Sequence, residues 1–168
     1  MIKVFLVEDE VVMRNGIKNN IPWEKEGLIF AGEASDGELA YPMIKKAQPD
    51  ILITDIRMPF MDGLELSELV KKEFPKIKII ILSGYNEFDY AKQAIHIGVT
   101  DYLLKPITAS KLLEAVKKVA DVIEKEREEE GMLERYRLEM AENTVLERQR
   151  LFRDLVTSRI NFKEALER

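Results

Sequence analysis

The sequence predicts an α/β fold, with one five-stranded parallel sheet covered by helices on both faces and followed by a helical extension. Three observations carry that reading. Five short apolar runs alternate with stretches of helical spacing. The runs are rich in β-branched residues and nearly continuous in hydrophobicity, as strands buried on both faces are. Four of them end in groups that carry chemistry: Val4–Val7 in Glu8-Asp9, Ile51–Thr54 in Asp55, Ile77–Leu82 in Ser83, and Tyr102–Leu104 in Lys105-Pro106. Parallel strands would deliver all of these groups to the carboxyl edge of the sheet, where open α/β sheets place their ligands.

The elements follow in order. Ile2–Val7 reads as a buried first strand, and Glu10–Asn20 as a helix with Val11, Val12, Ile17 and Ile21 roughly on one side. Ile21-Pro22-Trp23 ends it, because proline disfavours helical geometry in the residue before it. Leu28–Ala34 is the second strand. Ser35-Asp36-Gly37 is turn and cap chemistry, and Glu38–Ala47 is a helix that stops before Pro49. Ile51–Thr54 is the third strand. Residues 58–63 form a loop, and Leu64–Phe74 is a helix with Leu66, Leu69 and Val70 inward. Ile77–Leu82 is a central or near-central fourth strand. Asn86 caps a helix through Ile97 that Gly98 closes, and Thr100–Leu104 is the fifth strand. From Ser110 a helix stacks Leu112, Val116, Val119 and Ile123 on one face. Repeated βα units imply right-handed crossovers.

After Ile123 the character changes. Residues 124–130 are too charged for a core, and Gly131 is a break point. Over Met132–Val156 an apolar arc returns, with Leu133, Met140, Thr144, Leu151 and Leu155 on one side and Leu138, Val145, Phe152 and Val156 beside them. Glu147 and Arg148 interrupt the heptad, and the arc is wide enough to want a partner helix. Asn161-Phe162-Lys163-Glu164 resembles a capping box that opens another helix. The expected domains are residues 1–125 and a linker or coiled-coil segment over 126–168. More protein is expected beyond Arg168, since so short a final helix has little stability alone.

Composition narrows the function. A net charge of −5 offers no electrostatic basis for nucleic-acid binding by this portion. With no cysteine and one histidine, disulfides, thiolate metal sites and multi-histidine sites are excluded. No apolar run reaches the ~18 residues a membrane helix needs, and the start reads as a strand rather than a signal peptide. A cytoplasmic protein is expected.

Three acids, a hydroxyl and an ammonium at one sheet edge suit a divalent cation with a phosphoryl group. Asp55 would act as nucleophile toward phosphorus. Glu8 and Asp9 would supply hard oxygen ligands for Mg²⁺. Lys105 would neutralise a phosphoryl oxygen, and Ser83 would donate a hydrogen bond to another. Taken singly, each has a plainer reading: an Asp at a strand end forms turns, an acidic pair caps helices, and Ser-Gly is a turn. Their joint order favours function.

The stretches Leu6-Val7-Glu8-Asp9-Glu10, Asp55-Ile56-Arg57-Met58-Pro59-Phe60-Met61-Asp62-Gly63, Leu82-Ser83-Gly84-Tyr85 and Asp101-Tyr102-Leu103-Leu104-Lys105-Pro106 together resemble the response-regulator receiver domain of two-component signalling. The resemblance implies a flavodoxin-like (βα)5 fold over residues 1 to about 125. It implies that Asp55 accepts phosphate from a phosphohistidine of a sensor histidine kinase. It further implies that Asp9, Asp55, Glu8 and the Arg57 backbone carbonyl bind Mg²⁺, and that Ser83 and Lys105 bind the phosphoryl group. Tyr102 takes the position of the switch aromatic, and a cis Lys105–Pro106 bond is typical. Glu8 and Ser83 depart mildly from the commoner Asp and Thr. The Ile21-Pro22-Trp23 segment, residues 32–37 and 83–91 and the charged helix resemble AraC-type (YesN-like) regulators. That implies transcription control, with DNA bound only by a domain absent from this chain. A homodimer through the linker helix or a receiver face is expected.

Two other functions compete. A haloacid-dehalogenase-like phosphatase needs a second acid two residues after its nucleophile, and here that residue is Arg57. Slow self-dephosphorylation is therefore expected rather than enzymatic turnover. A non-phosphorylated scaffold would have lost an acid, and none is lost. His96 reads as a half-exposed packing residue, Trp23 as a loop anchor, residues 124–130 as a solvated helix face, and Tyr85, Phe88 and Tyr90 as packing residues or a partner surface.

Overall fold

The structure, a computed structural model, describes residues 1–84 and 88–167. Five parallel strands, β1 (Ile2–Val7), β2 (Leu28–Ala34), β3 (Ile51–Asp55), β4 (Lys78–Ser83) and β5 (Asp101–Leu104), form one sheet in the order β2-β1-β3-β4-β5. The helices are α1 (Val11–Asn20), a 3₁₀ turn at Glu24–Glu26, α2 (Gly37–Ala47), α3 (Gly63–Glu73), α4 (Phe88–Ile97) and α5 (Ala109–Leu166). By compactness the chain divides into Met1–Ile123 and Glu124–Arg168.

Strand side chains alternate between the two faces of the sheet. Ile2, Val4 and Leu6 join Ile51, Ile53, Ile80 and Leu82 in one core, packed against Ile17 of α1 and Leu112, Val116, Val119 and Ile123 of α5. Phe5 and Val7 join Leu52, Ile79 and Ile81 in the other, against Ala40 and Ile44 of α2, Leu66 and Val70 of α3 and Ala94 of α4. The runs are continuous in hydrophobicity because both faces are covered. Between Val4 and Phe5 the β1–β2 register shifts, and Phe5 pairs with Gly32. A Cβ at Gly32 would lie 2.7 Å from the Phe5 ring, so glycine makes room for that ring.

Helix entry follows local chemistry. Asp36 accepts a hydrogen bond from the Leu39 N–H at 2.8 Å, and Asp62 from the Glu65 N–H at 2.8 Å, each satisfying an orphan donor of the first turn. Pro42 lies inside α2 on its exposed side. The carbonyl deprived of its helical donor belongs to Glu38, itself an exposed residue.

Several expectations are corrected. Val11 and Val12 are 56% and 80% exposed; Ile17 and Ile21 face the core as expected, and Met13 joins them in place of the two valines. Residues four apart define that face, and it runs through 13, 17 and 21 rather than 11 and 12. Leu69 is half-buried and His96 exposed. Gly131 does not break α5, because a helix-interior glycine costs only about 1 kcal/mol relative to alanine. Asn161 lies inside α5 rather than capping a new helix. Trp23 does anchor its loop: it is buried, its Nε1–H donates to the Lys18 carbonyl at 3.2 Å, and its ring centroid lies 5.5 Å from that of Phe30. The expected Asn86 cap and Tyr85 lie outside the described residues. Among the described residues no helix is long and apolar enough to cross a membrane.

Candidate functional site

Strand register assembles the site. Val7 pairs with Thr54, Asp55 with Leu82, and Ser83 with Leu104. The residues that follow β1 therefore emerge beside the end of β3, and the ends of β4 and β5 lie next along the same edge. The chain order reverses between β1 and β3, which is the switch point where open α/β sheets bind ligands.

Glu8, Asp9 and Asp55 each offer a carboxylate oxygen, and these atoms lie within 4.8 Å of one another. Glu8 and Asp55 are buried, whereas Asp9 is exposed at the mouth. Lys105 Nζ lies 3.0 Å from Glu8 Oε2 and 3.0 Å from Asp55 Oδ2. The Ile56 N–H donates to Asp55 Oδ1 at 2.8 Å, which fixes the carboxylate. The Glu10 N–H donates to Glu8 Oε1 at 3.3 Å. Three carboxylates against one ammonium leave an excess of negative charge when all are ionised, and that attracts a cation.

The protonation equilibria reflect this crowding. Burial, followed by the Asp55 charge, pushes Glu8 up to about 7 against the opposing pull of Lys105. For Lys105, burial acts to lower the pKa, but hydrogen bonds and charge from Glu8 and Asp55 together outweigh it and hold the ammonium above its ordinary range.

Asp55, Arg57, Ser83, Tyr90 and Lys105 line a cavity of about 150 Å³. Asp9, Arg57 and Asp62 line an adjoining open depression. Ser83 is buried, and its carbonyl accepts the Lys105 amide N–H at 2.6 Å. The Lys105–Pro106 bond is cis. Tyr102 does not line the cavity. Its ring packs against the α2–α4 core, and its hydroxyl is buried with no hydrogen-bond partner among the described residues.

Three contributors escape a sequence reading. Arg14 Nη1 donates to the Glu8 carbonyl at 2.7 Å and ties α1 to the acidic turn. Its place one turn into α1 was the available clue. The Ile56 N–H has no side-chain signature. Gly63 lets the loop close under Asp55: its N–H donates to the Ile56 carbonyl at 2.8 Å, and an added Cβ would fall 1.8 Å from the Asp55 carbonyl oxygen.

Known proteins share this arrangement. The response regulator receiver domain family matches residues 4–117. The YesN transcriptional regulatory protein of Bacillus subtilis (strain 168) is 41% identical over 119 residues, covering 71% of this chain and 32% of the relative. The HptR transcriptional regulatory protein of Staphylococcus aureus (strain N315) is 39% identical over 112 residues, covering 67% of this chain and 44% of HptR. The chain thus spans less than half the length of these relatives. Among solved structures, the receiver domain of AraT, a response regulator from Geobacillus stearothermophilus, is 39% identical with a TM-score of 0.70, covering 74% of this chain and 97% of that one. A two-component transcriptional regulator AraC from Clostridium phytofermentans is 31% identical with a TM-score of 0.66, covering 76% and 98%. Sequence, topology and the acidic edge agree, and the chain belongs to the response regulator receiver domain family, with relatives among transcriptional regulators.

Proposed function

We propose that Asp55 accepts a phosphoryl group from a phosphohistidine of a sensor histidine kinase, and that the resulting change in the receiver controls a transcriptional output. The convergence of Asp55, Glu8, Asp9 and Lys105 at the β1/β3 edge carries this reading. An Asp55 carboxylate oxygen forms the new bond to phosphorus, the donor's N–P bond breaks, and its electron pair returns to the imidazole. Such transfer has little covalent work for the protein to do beyond placing the reactants and neutralising charge.

The donor set of carboxylates, together with the Arg57 backbone carbonyl, is all hard oxygen and fits Mg²⁺. Glu8, Asp9 and Asp55 would hold it, and when bound it supplies charge neutralisation on the phosphoryl oxygens. Lys105, already within reach of Asp55, is placed to pair with one phosphoryl oxygen, and Ser83 at the cavity wall to donate to another. Drawing Ser83 inward shifts β4, and Tyr102 adjusts in the neighbouring core. This biases two packings of one element, a population shift toward the signalling state. Self-pairing through the extension or a receiver face, and DNA binding by a domain outside this chain, complete the regulator.

Incubation with acetyl phosphate and Mg²⁺ tests the proposal. Intact-mass spectrometry is expected to show one phosphoryl adduct, lost in Asp55→Asn while the circular dichroism spectrum is kept. An adduct retained by Asp55→Asn, or rapid multiple turnover of acetyl phosphate, would overturn it.

A further inference from the structure

The extension carries a period that a heptad reading misses. Over residues 133–166, Leu133, Thr144, Leu155 and Leu166 recur at 11-residue intervals, and so do Met140, Leu151 and Phe162. Eleven residues over three turns give 3.67 residues per turn, so these two columns stay side by side along the helix. Glu147, which breaks a heptad, falls outside both columns. The six large apolar residues of the columns are between 50% and 71% exposed, along a stripe about 50 Å long in which every third turn carries Tyr136-Arg137, Glu147-Arg148 or Ser158-Arg159 instead. Thr144 fits this stripe, since its hydroxyl donates to the Met140 carbonyl at 2.8 Å and turns the polar atom back onto its own helix.

We infer that residues 133–166 pair with the same segment of a second copy as a parallel, in-register two-stranded coiled coil of 11-residue period and right-handed supercoil. A self-complementary stripe of this kind is what a second copy of the same helix matches, column against column. The flanking charges set the direction. Arg137, Arg148 and Arg159 form a third column with the same 11-residue spacing, about 50° to one side of the stripe's midline. Tyr136, Glu147 and Ser158 lie about 50° to the other side. Antiparallel two-fold pairing brings like flanks together and sets arginine column against arginine column, which repels. Parallel pairing brings opposite flanks together and sets the arginines against the column that holds Glu147. The inference rests on the self-pairing part of the proposed function and is independent of its phosphoryl chemistry.

The chain has no cysteine, so single cysteines report on the pairing directly. In the full chain, Met140→Cys, Leu151→Cys and Phe162→Cys should each form a same-site disulfide dimer under oxidised glutathione. Each should form roughly tenfold faster than in Asn161→Cys, which points well away from the stripe at 11-residue spacing and which only a continued heptad through 140, 147 and 154 would bring to the seam. Sedimentation equilibrium should give twice the chain mass, and Leu151→Asp combined with Leu155→Asp should give a monomer with its Asp55 adduct unchanged. Cross-linking at Asn161 in preference to Phe162 overturns the 11-residue register. Cross-linking at only one of Met140, Leu151 and Phe162 overturns parallel pairing, and a trimer or tetramer overturns the two-stranded form. A dimer with none of these cross-links overturns the inference but leaves a receiver-face dimer standing. A monomer at all concentrations overturns both, and loss of the Asp55 adduct in an intact dimer overturns the phosphoryl reading alone.

Discussion

Glu8 directly follows β1 with its carboxyl group out of water, beside Asp55 and bonded to Lys105. Its pKa is pushed up to about 7, chiefly by burial and then by Asp55, so folding favours its neutral form. A carboxyl raised in the folded state stabilises fully below its unfolded value of 4.5, and that contribution is lost as pH rises through about 7. Thermal melts in metal-free buffer should therefore show stability falling from about pH 5 to about pH 8, and Glu8→Gln should flatten the slope. An unchanged slope would remove Glu8 as its source. Gly63 exerts control of another kind. Because a Cβ there would meet the Asp55 backbone at 1.8 Å, Gly63→Ala should cost roughly 3 kcal/mol in denaturant unfolding and distort the loop under the acceptor. Residues 8, 9, 55, 83 and 105 were legible because their types and strand-end positions advertise chemistry. Arg14 and the Ile56 N–H were not, because they act through backbone groups that leave no mark on residue type.

At the scale of elements, strands were easier to read than helix faces. The bounds of β1 and β2 are those expected, because turn residues and acids punctuate them, while β3 extends one residue further, to Asp55, and β4 is shifted by one residue, to Lys78–Ser83. In α1 four apolar residues share ten positions, and the sequence alone does not say which two lose the competition for the core. Two substitutions test the observed faces. Val12→Ala should change stability by within about 0.5 kcal/mol, since the side chain is 80% exposed. Leu112→Ala, at a fully buried site of α5, should cost about 2–5 kcal/mol. Comparable costs in chemical denaturation would contradict the faces assigned here. The length of α5 was hidden by Gly131 and by the Asn161 motif. Both are local preferences of order 1 kcal/mol, which fifty-eight helical residues override.

For the whole molecule, every buried apolar side chain among the described residues lies within residues 1–123. A chain ending at residue 125 should keep a single cooperative unfolding transition, with stability within about 1 kcal/mol of the full chain measured dilute, and should still form the Asp55 adduct. Loss of the transition would mean that the extension is part of the receiver's folding unit. Fold class was legible because strand and helix periods alternate without interruption. The partner of the extension was not, because an apolar stripe records that something covers it before it records what. Lys105 shows how a single residue can join scales. Its ammonium reaches the acid that follows β1 and the acid that ends β3, and its amide bonds to the last carbonyl of β4. Whatever draws that ammonium toward a newcomer would release two acids at once while the amide stays tied to β4, so charge arriving in the pocket would be felt at the sheet's outer margin.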